Sequence, residues 1–360
     1  MDESAAAQRY HYTLVDVDTG VLAAMTASPR HPLREFFPDD GPIVPKIGPG
    51  DVLSITIYET GAEELFGPAT SQQLPYGTTN VTLPNQTVDR SGFVSVPFAP
   101  LVKVAGLTPM QAQHSIEQLL SGKAANPQVL VSVVSDATNV VTLTGAVKTP
   151  GRYRLTAASE TLLQMVAMAG GPTGLETDTV LQLTRGRRQV GIRLSDLIVH
   201  PRDDIHAWPG DYIDLQPDPR NFQIYGGVYY SGAYSLVTDD ITLAEAITRA
   251  GGLRDTQADS RGIFLFRYED PMVLREVPKT QIIAAAPPAP GVSKDVLEPV
   301  LYKIDLKTAS GIFYSTRLNI HDRDLIYIPT APLVDWQKVL DLFRLTTAPV
   351  IGGASASRGL

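Results

Sequence analysis

Cysteine is absent from the 360 residues of this chain, which excludes disulfide staples, thiol nucleophiles and cysteine-ligated zinc. A chain without thiols suits an oxidising compartment. Positive charge is in deficit too: 30 Lys and Arg stand against 38 Asp and Glu, a net charge of −8, which argues against a nucleic-acid partner, since that would need a basic face. No apolar run approaches the roughly 18 residues of a spanning helix, and the polar, Ala-rich residues 1–10 lack the basic-then-apolar order of a secretory signal. The expectation on that ground is either a cytosolic protein or a processed form. What is present is globular material, 43% hydrophobic and 19% charged, long enough for two or three domains with cores of their own.

The most informative feature is a duplication. Residues 142–171 read TLTGAVKTPGRYRLTAASETLLQMVAMAGG, and about 80 residues later, without a gap, residues 223–252 read QIYGGVYYSGAYSLVTDDITLAEAITRAGG. Gly145 meets Gly226, Val147 meets Val228, Gly151 meets Gly232, Tyr153 meets Tyr234 and Leu155 meets Leu236. A match at fixed offset marks a duplicated structural module, and two copies of a binding-type module argue for a scaffold that assembles. In each copy alternating apolar residues (Val141, Leu143; Phe222, Ile224) predict a half-buried strand. Pro150-Gly151 or Ser231-Gly232 supplies turn chemistry for a hairpin returning through Tyr153 or Tyr234. Thr161 or Thr242 is placed to cap a helix whose apolar stripe (Leu162, Met165, Val166, Ala169; Leu243, Ala246, Ile247, Ala250) ends at Gly-Gly. The copies close on similar strings, Pro209-Gly210-Asp211-Tyr212-Ile213 and Asp322-Arg323-Asp324-Leu325-Ile326, and a related string from Gly48 to Leu53 opens the preceding region.

The fold class expected is therefore α+β and multi-domain, in five regions. Residues 1–45, strand-like at 10–17 and then broken by Pro29, Pro32, Pro38, Pro42 and Pro45, predict an extended arm. Residues 46–135 predict a first domain, with a strand at 52–58, a polar insertion as far as Thr87, and an amphipathic helix carrying Met110, His114, Ile116, Leu119 and Leu120. The repeats occupy 139–218 and 221–330, and the second carries an insertion near 271–299 that is loop or extended chain around its Ala/Pro stretch.

Residues 331–360 are a C-terminal amphipathic helix and tail. Leu333, Trp336, Val339, Leu340 and Phe343 fall on one face of the helix, while Asp335, Lys338, Asp341 and Arg344 fall on the other. One such helix does not cross a bilayer, because each buried charge costs at least about 2.5 kcal/mol near the centre. A ring of them does, with the apolar residues facing membrane and the charged residues facing a shared wet lumen. Roughly 17 to 19 helical residues reach about 26 to 28 Å, enough for a thin membrane. The plainer alternative folds the apolar stripe onto the helix's own domain.

Catalytic readings are weaker. His200, Asp203, Asp204 and His206 lie close enough in sequence for a metal cluster, but Pro201 breaks the spacing and a solvated turn is the plainer reading. Asp239-Asp240 fits helix capping better than a glycosidase carboxylate pair. Neither a nucleophile elbow nor a phosphate loop is present, so no catalytic, cofactor-binding or metal site is expected and the chain is not read as an enzyme. Arg185-Gly186-Arg187-Arg188 predicts a charged hairpin tip, with contact to acidic sugars or lipid headgroups as the alternative. Tyr229, Tyr230, Tyr234 and Trp208 fit strand packing, or stacking on sugar rings or oligomer neighbours.

The string Lys46-Ile-Gly-Pro-Gly-Asp-Val-Leu-Ser-Ile-Thr-Ile-Tyr-Glu59, then Val88-Asp-Arg-Ser-Gly-Phe-Val94, Val104-Ala-Gly-Leu-Thr108 and Asn126-Pro-Gln-Val129, resembles the polysaccharide-export domain of the outer-membrane polysaccharide export proteins, the Wza-like family. The tandem Gly-x-Val-x-x-x-Gly-x-Tyr-x-Leu modules resemble that family's soluble-ligand-binding β-grasp (SLBB) domains. The resemblance runs over nearly the whole chain and implies a ring-shaped homo-oligomer, often an octamer, that stands in the periplasm and crosses the outer membrane as a barrel of C-terminal helices. It also implies capsular or exopolysaccharide in the central cavity, supplied by an inner-membrane co-polymerase that is frequently of tyrosine-kinase type. Family members carry a signal peptide and a lipidated N-terminal cysteine; this sequence displays neither, so its anchor is inferred from resemblance alone.

The expectation is thus an outer-membrane polysaccharide translocon subunit, largely periplasmic, needing no cofactor. The rival is a soluble periplasmic glycan-binding or scaffold protein that does not span the membrane. Stoichiometry separates them, since a receptor works as a monomer while a translocon has to close a ring.

Overall fold

Strand β1 (Thr13–Asp16) falls within the strand-like stretch expected at 10–17, but the arm expected to be extended after it carries helix α1 (Thr19–Thr26) and the short helix α2 (Leu33–Phe36). The strand is recruited into the sheet of the second repeat, and Leu33 of α2, with Phe37, is buried in the core of the first. Local sequence does not announce either role, because each segment is stabilised by a sheet or core remote in the chain. The computed structural model describes residues 12–26, 32–38, 41–60, 72–74, 78–124, 126–238, 240–254, 258–284 and 297–330. Those residues form two compact units, one within Pro32–Asp218 and the other drawn from Met1–His31 with Pro219–Leu360.

The first domain is built from β2 (Val52–Thr60), β3 (Gln72–Leu74), β4 (Thr78–Thr82), β5 (Gln86–Thr87), β6 (Phe93–Val94), β7 (Val102–Lys103), α3 (Pro109–Leu120) and β8 (Gln128–Ser135). Burial alternates along β2, so Leu53, Ile55 and Ile57 share the core face, and β8 pairs antiparallel with it, Val131 opposite Ile55. Helix α3 starts in a capping box: the Thr108 hydroxyl accepts from Gln111 N at 3.2 Å, and Gln111 Oε1 accepts from Thr108 N at 3.0 Å. Its buried stripe is Ala112, Ile116 and Leu120. Of the residues expected on that face, Met110, His114 and Leu119 turn outward, Met110 being 77% exposed. The i, i+4 row beginning at the small Ala112 is the one buried in this domain's core.

The first repeat comprises β9 (Val140–Gly145), β10 (Gly151–Arg154), α4 (Leu162–Met168), β11 (Thr179–Arg185), β12 (Arg188–Arg193), α5 (Leu194–Val199) and β13 (Tyr212–Pro217), in sheet order β10-β9-β13-β11-β12. The second comprises β14 (Asn221–Gly226), β15 (Gly232–Ser235), α6 (Leu243–Arg249), β16 (Ile263–Glu269), α7 (Pro271–Glu276), β17 (Ile282–Ala284), β18 (Glu298–Ile304), α8 (Ala309–Ser315) and β19 (Leu325–Ile328), in order β15-β14-β19-β16-β18-β1-β17. The first five places repeat the first sheet strand for strand. Two strands are then added at the β18 edge: β1 runs parallel to β18, and β17 antiparallel to β1. The insertion carries α7 and β17 ahead of its Ala/Pro stretch, and residues 285–296, which hold nearly all of the stretch expected as loop or extended chain, lie outside the described residues.

In both repeats the first strand lies parallel to the last, Leu143 opposite Ile213 and Ile224 opposite Ile326. Parallel neighbours require a crossover, and α4 or α6 lies within it. Thr161 with Gln164, and Thr242 with Glu245, form the capping boxes that start those helices. Gly145 and Gly226 end the first strands at φ of 79° and 96°, where a Cβ would collide with the carbonyl oxygens of Leu215 and Ile328 on the parallel partner. The expected tight turns at Pro150-Gly151 and Ser231-Gly232 are not where the chain reverses. Gly151 already pairs with Leu143 and Gly232 with Ile224, and residues 146–150 and 227–231 make the reversal. That longer connection is held by the helix ends: Thr149 N donates to Ala169 O at 3.0 Å, and Tyr230 N donates to Ala250 O at 2.9 Å.

Each repeat is closed by an arginine fork. Arg185 at the end of β11 donates through Nε and Nη2 to the two Asp211 oxygens at 2.9 and 2.7 Å, and through Nη2 to His206 O at 2.8 Å. Arg267 on β16 does the same to Asp324 at 2.9 and 2.6 Å and to Asn319 O at 2.7 Å. Trp208 N and His321 N complete the two carboxylates at 2.8 and 2.7 Å. Arg185, expected at a charged tip, therefore turns inward, its guanidinium carbon 5.5 Å from the Phe37 ring centroid and 5.0 Å from that of Trp208, while Arg187 and Arg188 stay exposed. A bidentate partner and two aromatic faces outweigh hydration for a group as weakly hydrated as guanidinium. The Gly48–Leu53 string works differently. Asp51 accepts from Gly48 N at 2.7 Å, and from Ala137 N, Thr138 N and Thr138 Oγ1 at 2.8, 3.1 and 3.0 Å, which fastens the first domain to the start of the first repeat.

The second fork is the drier of the two, with side chains 3% and 1% exposed for Arg267 and Asp324, against 15% and 1% for Arg185 and Asp211. Burial works against the Arg267 charge, but Asp324 and Glu269 outweigh it and hold the guanidinium above the ordinary arginine range. Removing one partner of a buried pair strands the other charge, at about 3–5 kcal/mol. Arg267→Ala is expected to lose stability in that range in urea titrations and Arg185→Ala less, because water reaches the first fork; equal losses would refute the difference. Glu269 accepts from Tyr302 Oη at 3.0 Å, and burial pushes its carboxyl above the ordinary 4.5 despite Arg267. The folded chain then keeps that proton to higher pH than the unfolded chain, so stability falls as pH rises from 4.5 through the raised value. Glu269→Gln is expected to raise the melting temperature near pH 8, with the gain closing toward about pH 5; a gain that ignores pH would show the carboxylate ionised throughout.

Candidate functional site

The reversal loops, seated on the helix ends, form the surface on which the two repeats differ. In the first repeat residues 147 and 172 bridge, and Thr173 N donates to Ala146 O at 2.9 Å; in the second, residues 228 and 253 bridge, and Arg254 N donates to Gly227 O at 2.9 Å. Tyr153 and Tyr234 brace the loops from below, each hydroxyl donating to a loop carbonyl, that of Thr149 or of Tyr230. The Tyr234 ring also stacks on Phe222, with centroids 5.7 Å apart. The frames match, yet the first displays Lys148, Thr149 and Thr173 where the second displays Tyr229, Tyr230 and Arg254.

Tyr229 is 53% exposed and Tyr230 69%. The Arg254 guanidinium carbon lies 5.6 Å from the Tyr229 ring centroid, and Arg254 Nη2 donates to Tyr229 O at 3.2 Å. Tyr230 is seated on the left-handed Gly251, where a Cβ would come within 2.9 Å of Tyr230 Cδ2 and within 2.9 Å of Tyr229 Cβ. Two aromatic rings and a planar cation are thereby held at an open surface by backbone that cannot carry a side chain beneath them.

The other residues singled out in the sequence scatter. His200 closes α5 with its Nδ1 2.9 Å from Asp196 O, Asp204 Oδ1 accepts from Leu163 N at 3.0 Å, and the His206 carbonyl is taken by Arg185. Among the described residues no group of three His, Asp or Glu side chains is placed to hold a metal. Trp208 and Tyr234 pack inside their repeats; Asp240 lies in the turn ahead of Thr242, and Asp239 lies outside the described residues. Leu333, Trp336, Val339, Leu340, Phe343, Asp335, Lys338, Asp341 and Arg344, expected on a C-terminal helix, also lie outside them. Among the described residues no helix is long and apolar enough to cross a membrane. Arg267 and Asp324 were missed as partners, although the pattern apolar-x-apolar-x-Arg (Leu181, Leu183, Arg185; Ile263, Leu265, Arg267) stands in both repeats. Arg254 lies two residues past the duplicated segment, where no motif marks it.

Residues 44–134 match the polysaccharide biosynthesis/export protein family, and residues 140–198 and 221–276 match the SLBB domain. The chain is 32% identical to the capsule polysaccharide export outer membrane protein CtrA of Neisseria meningitidis over 361 residues, 100% of this chain and 91% of that protein. It is 36% identical to the capsule polysaccharide export protein BexD of Haemophilus influenzae over 316 residues, 86% of this chain and 77% of that one. With the Vi polysaccharide export protein VexA/TviF of Salmonella typhi it shares 28% identity over 335 residues, 92% and 87% of the two chains. An export domain in front of two β-grasp repeats, matched along its whole length by such relatives, places this chain in the polysaccharide biosynthesis/export family, as a member with two SLBB domains.

Proposed function

We propose that this protein is a subunit of an outer-membrane translocon for capsular or exopolysaccharide. The observation that carries the reading is the succession of an export domain and two SLBB repeats in a chain whose relatives are named as capsule and polysaccharide export proteins of the outer membrane. Most of the chain stands in the periplasm, copies of it close a ring, and an octamer is the expected size. An inner-membrane co-polymerase, of tyrosine-kinase type in related systems, delivers the polymer. The chain itself moves polymer passively; Arg267, Glu269 and Tyr302, whose acidities are altered, are buried in the core of the second repeat.

The C-terminal helix completes the proposal. Leu333, Trp336, Val339, Leu340 and Phe343 face lipid, and Asp335, Lys338, Asp341 and Arg344 line a wet lumen. Asp335 and Asp341 balance Lys338 and Arg344 among these four, and acidic wall groups of this kind keep an anionic glycan from sticking, because conduction needs contacts weak enough to release. One observation favours the rival reading of a soluble glycan-binding scaffold: the open Tyr229, Tyr230 and Arg254 surface suits a receptor as well as a conduit.

Native mass in mild detergent, with negative-stain imaging of the same peak, separates the two. A closed ring of many copies is expected, and a clean monomer with or without added glycan would favour the scaffold. Deleting residues 333–360 is expected to leave rings that no longer insert in membranes; channel formation by that truncation would rule the helix out as pore wall. Reversing Asp335 and Asp341 to Lys is expected to slow export of an anionic polymer, and unchanged flux would remove the acidic-lumen argument.

A further inference from the structure

The Tyr229, Tyr230 and Arg254 surface is not needed to build the second repeat. The same backbone frame closes in the first repeat with Lys148, Thr149 and Thr173, through equivalent hydrogen bonds from residues 149 and 230 to the helix end and from residues 173 and 254 to the loop. Structure therefore explains the frame and leaves the side chains unexplained. Holding two tyrosines 53% and 69% exposed forgoes the free energy that burying their rings would contribute.

We infer that this surface is a contact site for a sugar chain bearing carboxylate or phosphate groups. A tyrosine ring offers a flat apolar face with a polar rim, which matches the apolar C–H face and hydroxyl rim of a pyranose, and with few rotatable bonds it loses little entropy on contact. Arg254 adds the ionic half. Its hydrogen bond to Tyr229 O uses Nη2 alone, and the guanidinium fork matches carboxylate and phosphate oxygens with paired donors. The ring of Tyr229 holds that guanidinium beside the aromatic pair, so stacking and charge recognition fall on neighbouring units of one polymer.

The site is open, so one copy binds in a low-affinity range. For a transported chain that is a virtue: contacts repeated on many subunits add through effective concentration, while each releases quickly enough for movement. This inference rests on the export reading for the glycan nature of the cargo, and it deepens that reading by naming where the polymer is touched. The first repeat, with Lys148 and Thr149 at the same place, lacks the aromatic half.

The test uses the full chain and three probes of equal length: an oligogalacturonate, a phosphorylated maltooligosaccharide and a neutral maltooligosaccharide. Binding is followed by titration calorimetry or ligand-observed NMR. At least one anionic probe is expected to bind about tenfold or more tighter than the neutral one, a difference of about 1.4 kcal/mol. Tyr230→Ala and Tyr229→Ala are expected to weaken that binding at least about fivefold with unchanged melting temperature, Tyr230→Phe to retain it, and Arg254→Gln to erase the anionic preference. Failure of all three probes to bind, or binding indifferent to these substitutions, overturns the site and leaves the ring untouched. Substitutions that lower the native mass with no effect on sugar would make the surface a contact between copies, and overturn it equally. Sugar binding at this surface by a chain that stays monomeric would instead uphold the site and count against the ring.

Discussion

A buried bidentate ion pair between the middle and last strands of each repeat is the contact on which the rest of the architecture depends. Arg185 with Asp211, and Arg267 with Asp324, tie the antiparallel half of the sheet to the loop that leads into the strand lying parallel to the first. That parallel pairing in turn sets the position of the crossover helix. The helix end holds the reversal loop, and the loop displays the surface side chains. Buried charge is costly unless paired and hydrogen-bonded, and here each aspartate is saturated by two guanidinium bonds and a backbone N–H. The pair therefore specifies a single register of β11 against β13 and of β16 against β19, because sliding either strand by one residue would send its arginine to the opposite face of the sheet.

Duplication on such a frame frees the periphery to diverge. The first repeat admits water to its fork and sandwiches Arg185 between Phe37 and Trp208; the second seals its fork with Glu269 and Tyr302 and extends its sheet by β1 and β17. The added strands cover an edge that in the first repeat ends at β12, and covered edges are less open to unintended pairing. At the opposite end of the sheet the loops part company in chemistry alone, with lysine and threonine in one and tyrosine and arginine in the other. The proposed conduit would use such a division, with a stiff frame keeping the subunit shape that a closed assembly needs and weak contacts keeping the cargo moving.

Family membership is settled by the order of parts and by relatives matched over the whole chain. A ring is a property of many copies, and residues 333–344 carry its proposed wall. The described part of each unit supplies the scaffold, with hydrophobic cores centred on Phe222 and Tyr302, on Leu143 and Leu181, and on Leu53 and Ile55.

What the sequence determined by itself was what short-range chemistry determines. Capping threonines Thr161 and Thr242, apolar stripes at helical spacing and the Gly-Gly stops define α4 and α6 within a few covalent bonds of themselves, and two copies of that pattern disclosed the duplication. The apolar pattern of residues 52–58 likewise marked the strand β2 of the first domain. Tertiary structure alone decided whatever depends on partners far along the chain. It turned the Arg185 side chain inward from the hairpin tip that its backbone does form with Arg188, carried residues 13–16 to a strand near residue 300, exposed Met110 in favour of Ala112, and set Arg254 over Tyr229. Local pattern records the periodicity of an element but not which neighbour covers its face, and a charged residue's partner is chosen by sheet register, which exists only once the strands have met.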